Sequence, residues 1–138
     1  MGSCEKDGKS GNGEVVASVV SATETLVVIK IDEADGYATV LDALKSLEEA
    51  GELTFDSKES QYGAYIVSVN GKVEISELTE GFSWMVYTSD CTEGVANTEG
   101  EPLVWQEKNH YSVLLGVSFL KVKEGEYYLL NFEGWSYP

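Results

Sequence analysis

Basic residues are scarce in this sequence: nine Lys+Arg stand against twenty-four Asp+Glu among 138 residues, a formal net charge of −15 at pH 7. Such a chain repels phosphate backbones and anionic headgroups, which excludes nucleic acid as an expected partner. Long apolar runs are missing too. A membrane-spanning helix needs about 20 predominantly apolar residues, whereas the most apolar stretch, "EVVASVVSATETLVVIKID", is interrupted by Ser, Thr and Glu.

Catalytic and metal signatures are equally thin. His110 is the only histidine, in "QEKNHYSV", with no Ser or Cys motif beside it, and reads as a surface or half-buried side chain rather than a general base. "GFSWM" lacks the second glycine of a nucleophile elbow. In "DEADGYATVLD", placing Gly36 at the sixth position of a calcium loop puts Ile31 at the first, where a carboxylate is required. Neither zinc-type Cys/His spacing nor a Gly-rich phosphate cradle occurs. No enzyme, metal site or resident cofactor is expected.

There are two cysteines. A disulfide between Cys4 and Cys91 would tie a polar tail to the loop-like "TSDCTEG". Alternatively, "GSC" followed by "EKDGKSGNGE" has the form of a lipoprotein junction, with small residues before the modified Cys4 and a hydrophilic tether after it. An ordinary terminus containing a cysteine is the plain alternative. On the lipoprotein reading the protein is extracellular and anchored at the cell surface, and it meets a membrane only through its N-terminal lipid.

What is present suits a single α+β domain. Residues 1–13, rich in Gly, Ser, Lys, Asp and Glu, read as a flexible tether, and residues 14–138 as the domain. "EVVASVV" and "TLVVIKI" are β-branched runs that predict strands. Val40, Leu41, Leu44 and Leu47 then recur at helical spacing. Thr39 and Asp42 form a capping box and Gly51 stands at the C-cap, so the helix runs from about Val40 to Ala50, with Asp42, Lys45, Glu48 and Glu49 on its solvated face. Beyond it, "LTFDSKES", "GAYIVSV", "KVEISEL", "FSWMVYTS", "YSVLLGVSFLKV" and "YYLLNFE" predict further strands, and "FEGWSYP" an ordered tail on the sheet. Asn70-Gly71 and the Lys123 to Glu126 segment mark turns. The result is a mostly antiparallel mixed sheet with one main amphipathic helix across one face.

Aromatic residues cluster near predicted loops and strand ends. In "AYIVSV", Ala64, Ile66 and Ser68 alternate with Tyr65, Val67 and Val69, so both faces of this strand are at least half apolar. A two-residue loop at Asn70-Gly71 would place Ile66 opposite Ile75 and Val67 opposite Glu74. The tyrosine face is then either sealed core or a partly open, aromatic-lined surface for a planar or amphipathic ligand. Tyr65 and Trp84 are the foremost candidates, followed by Tyr87 and Trp105.

Several of these segments, in this order, resemble the C-terminal domain of transcobalamin and intrinsic factor and its bacterial relatives: "TVLDALKSLEE", "YGAYIVSVNGK", "GFSWMVYTSD" and "LGVSFLKVKEGEYYLLNFE". The similarity runs from about Thr25 to Glu133. Ala64 stands where the animal proteins tend to have Pro, and "TEGVANTEGEPLVWQEKNHYS" does not align. The resemblance implies a β-grasp-like fold and a site for cobalamin or another corrinoid near Tyr65 and Trp84. It also implies that a helical partner domain, or an uptake transporter, supplies the other half. A surface module that docks a protein or glycan, without small-molecule binding, is the other reading of the same aromatic residues.

Overall fold

The computed structural model describes residues 13–137. Cys4 and, apart from Gly13, the expected tether lie outside the described residues. In chain order the elements are β1 (Val15–Ala22), β2 (Leu26–Ala34), α1 (Val40–Glu49), β3 (Phe55–Lys58), β4 (Tyr65–Val69), β5 (Lys72–Val73), β6 (Ile75–Ser76), β7 (Glu80–Thr88), β8 (Leu103–Trp105), β9 (Lys108–Ser112) and β10 (Tyr127–Ser136). Among the described residues, one helix on a largely antiparallel sheet makes the domain α+β.

The helix begins as its sequence demands. The Asp42 N–H donates to the Thr39 hydroxyl at 3.2 Å, and the Thr39 N–H donates to the Asp42 carboxylate at 2.9 Å, which closes the capping box. Two further N-terminal donors, Val40 N–H and Leu41 N–H, bond the carbonyls of Leu120 and Val117, so the helix start is tied to a distant segment. Gly51, at φ 78°, ends it. Gly51 N–H and Glu52 N–H bond back to the Glu48 and Leu47 carbonyls, a Schellman closure that a side chain at Gly51 would strain. Val40, Ala43, Leu44 and Leu47 form the buried stripe.

Strands β1, β2, β10, β7, β9 and β8 lie in that order in a seven-stranded sheet, whose seventh strand, β6, also pairs with β7. Strands β3, β4 and β5 form a second, smaller sheet. Each of these pairings is antiparallel, so the mixed sheet expected from sequence has no parallel pair among the described residues. The last strand, β10, is central, with Leu129 opposite Val28 on β2 and Tyr87 on β7. Val27, Ile29, Ile31, Trp84, Val86, Tyr128 and Leu130 meet the helix stripe in one core. Each fully buried aliphatic there contributes about 1.5–3 kcal/mol.

Three expectations are corrected. "KVEISEL" is not one strand: its ladder with β4 ends after Glu74 N–H bonds the Val67 carbonyl, and Ile75 then pairs with Phe82 on β7 rather than lying opposite Ile66. "YSVLLGVSFLKV" is strand only through Ser112. Gly116 approaches the segment leading into β4 so closely that a Cβ there would lie 2.6 Å from the Tyr62 carbonyl oxygen, and the chain turns at Gly116 to Leu120 instead of running straight. The C-terminal tail is itself strand, with Trp135 opposite Gly81. Asn70 and Gly71 do take the positive φ values, 50° and 84°, that the hairpin requires.

Candidate functional site

Alternation along β4 sends Ile66 and Ser68 inward, where both are buried, and leaves Tyr65 outward and 42% exposed. The tyrosine face is therefore open at its start and closed at Val69. Beside it lies a free stretch of β7: β9 leaves that edge after Tyr87, and β6 joins it only at Phe82. In the interval is an apolar cleft of about 160 Å3, lined by Tyr65, Trp84, Met85, Val113, Leu115 and Val117 among others. Its rim is exposed through Tyr65, Met85 and Leu115, and Phe119, also exposed, packs on Gly63 next to it.

The two foremost candidates thus meet in one place, with unequal roles. Trp84 is only 5% exposed. Its indole packs against Phe132, with ring centroids 5.1 Å apart, and its Nε1 donates to the Lys72 carbonyl at 2.8 Å. It forms the cleft floor and a core pillar together, and the side chains open to a ligand are Tyr65, Met85 and Leu115.

Tyr87 and Trp105 lie elsewhere. Three residues from Trp84 on the same strand, Tyr87 points to the opposite sheet face. Its hydroxyl donates to Glu133 Oε1 at 2.7 Å, and Asn131 Nδ2 donates to the same oxygen at 2.9 Å. Burial, followed by the Glu133 hydrogen bond and charge, pushes the Tyr87 phenol up to about 12. Trp105, on β8, packs on Tyr127 and edge-on to His110, at 5.8 and 6.3 Å between centroids.

His110 is 1% exposed, more deeply buried than the surface or half-buried side chain expected from sequence; it pairs with Leu103 and lies edge-on to Trp105. Neither ring nitrogen has a hydrogen-bond partner. Burial, assisted by the Lys108 charge, holds its pKa below the usual imidazole value against the opposing carbonyls of Leu103 and Lys108 and the charge of Glu126. Asp90 is buried as well. Burial would raise its pKa, but bonds from Thr92 N–H at 3.0 Å and Thr92 Oγ1 at 2.6 Å, with Lys123 Nζ at 3.5 Å, outweigh that and hold it low. This ties the Ser89 to Thr92 loop to the turn before β10. Cys91, beside it, is exposed.

Met85 and Leu115, the exposed apolar rim, were not singled out from sequence, nor was Phe132, on which Trp84 and Phe82 both pack. Period-two parity in "YYLLNFE" would have put Phe132 on the face of Tyr128 and Leu130. No comparable signal marks Leu115, which lies in the segment that turns away from its strand. No three His, Cys, Asp or Glu side chains converge among the described residues as a metal ion would need. No protein-family model matches the chain, and no curated protein matches it.

Proposed function

We propose that the domain is a non-enzymatic, extracellular ligand-binding module of a bacterial surface lipoprotein, β-grasp-like in fold and anchored through Cys4. It holds a flat amphipathic ligand, a corrinoid such as cobalamin foremost, against the cleft between Tyr65 and Trp84. The observation that carries this reading is the convergence of these two aromatic residues, from β4 and β7, in one apolar cleft with an exposed rim of Tyr65, Met85 and Leu115. Such side chains supply apolar area at small conformational cost.

At about 160 Å3 the cleft is smaller than the roughly 300–1,000 Å3 of sites that enclose a small molecule. It serves as one wall, and a helical partner domain or an uptake transporter supplies the other. The choice of corrinoid, and of the β-grasp topology, rests on the resemblance of the four sequence segments above. The lipid anchor rests on the residues around Cys4.

The test is a tryptophan-fluorescence titration with cobalamin and cobinamide, corrected for ligand absorbance and paired with calorimetry. Saturable binding at about micromolar strength, near −8 kcal/mol, that weakens about tenfold in Tyr65→Ala or Leu115→Ser is the expected result. Binding that ignores both substitutions would overturn the site. The exposed rim favours one second reading, in which the same patch docks a protein or glycan directly. Under it, no corrinoid binds with or without a helical partner.

A further inference from the structure

Sheet edges are normally guarded by brevity, charge or proline, because unpaired N–H and C=O groups invite another strand. Strand β8 has three residues, and β3 has four and carries Asp56 and Lys58. Strand β1 is different. It runs eight residues, "VVASVVSA", without a charge or a proline, and among the described residues its outer edge has no partner. Val16 and Val20 stand 51% and 44% exposed along it. Among the described residues it is guarded by a pair of register shifts against β2, after Val16 and after Val19, and by α1 packed against it.

A cleft of about 530 Å3 lies beside the first half of this edge, between the β1–β2 ends and α1. Among the described residues, six acidic residues and a single basic one, Lys45, line it. Asp42 is occupied by the helix cap, and Asp35 accepts from the N–H groups of Glu14, Tyr37 and Ala38. Glu14, Glu33, Glu49 and Glu124 also line the cleft, and among the described residues none of their carboxylates takes part in a helix cap or turn of the kind that holds Asp42 and Asp35.

We propose that β1 is a strand-addition edge for an extended, basic segment of a partner protein. The segment's backbone continues the sheet, and its Lys or Arg side chains on one face enter the acidic cleft. Charge selects the occupant. A second copy would bring another chain of net charge −15 to the same edge and set valines among carboxylates.

The experiment is fluorescence anisotropy of the full chain with three labelled peptides as long as β1. One alternates Lys with Val, the second is the same peptide N-methylated at alternate residues, and the third has Glu in place of Lys. The Lys-Val peptide should saturate, and each control should bind about tenfold more weakly or worse. On the protein, Val16→Lys with Val20→Lys, and separately Glu33→Lys with Glu49→Lys, should weaken binding by a similar factor, with folding checked by circular dichroism. Amide exchange in β1 should slow when the peptide is bound. Equal binding of the N-methylated peptide, which tests the idea on the unaltered protein, would reduce the effect to charge attraction and overturn strand addition. Absence of binding at roughly millimolar peptide, or a β1-dependent dimer of the chain alone, would also overturn it.

Discussion

The indole Nε1 of Trp84 on β7 donates to the carbonyl of Lys72 on β5, 2.8 Å away. This bond crosses from the seven-stranded sheet to the three-stranded one, and it does so where the candidate cleft has its floor. Trp84→Ala should cost about 3–5 kcal/mol, as expected for loss of a buried large aromatic, measured by urea unfolding. Trp84→Phe keeps a ring but loses the bond and should cost at least about 1 kcal/mol. Tyr65→Ala, at an exposed position, should stay within about 1 kcal/mol of the parent. Trp84 is therefore a poor position for testing ligand binding, and Tyr65 a good one.

Acid should weaken the domain in two stages. His110 has a folded pKa below its unfolded value near 6.5. As pH falls through that value the unfolded chain takes up a proton that the folded one resists, so stability drops first as pH falls below about 6.5. The carboxylates of Asp35 and Asp90, both held below their ordinary value in the fold, lose their contribution further down, below about pH 4. Replacing His110 by Phe should flatten the first stage in urea titrations run across pH and leave the second. If the first stage persists in the variant, another group causes it.

At alkaline pH the tyrosines should divide. Tyr87 and Tyr128 are both pushed up to about 12, Tyr87 by burial and Glu133, Tyr128 chiefly by burial. Their folded pKa exceeds the unfolded value near 10, so the stability they supply is complete below pH 10 and lost as pH climbs toward 12. Absorbance titration of phenolate should show a late-ionising group, and Glu133→Gln should move one tyrosine of that group earlier. No change in the variant would mean that burial alone holds Tyr87.

Gly116→Ala should damage the cleft without touching its lining side chains. The added Cβ would meet the Tyr62 and Ala64 carbonyl oxygens at 2.6 and 2.9 Å, so the segment must shift away from the residues that lead into β4. A cost of about 1–3 kcal/mol is expected from such overpacking. Heteronuclear NMR should locate the shifts at Tyr62 to Ile66 and Val113 to Val117 if this contact is the one disturbed.

Local chemistry explains which parts of the fold were legible in the sequence. The helix was readable to within one residue because the signals at Thr39, Asp42 and Gly51 each act within one turn of its ends. The Asn70-Gly71 hairpin was readable because two adjacent positive φ values have a narrow residue preference. Long-range events were hidden. Gly116 gives no sign in its own neighbourhood that it must lie against Tyr62, and the apolar residues on either side of it look like a buried strand although Leu114, Leu115 and Phe119 are exposed. Among the site candidates, the union of Tyr65 with Trp84 follows from β4 lying beside β7. The separation of Trp84 from Tyr87 was present in their spacing on one strand, and parity alone would have divided them.

The central place of β10 has a consequence in time. Its partners, β2 and β7, lie far back in the chain, and neither can reach the other except through it. While the chain is being synthesised, the β1–β2 hairpin and α1 can form locally, but the large sheet stays split until residues 127–136 are made. The domain is therefore a late and all-at-once folder, with two unpaired edges waiting for their middle strand and a high share of distant contacts setting the pace.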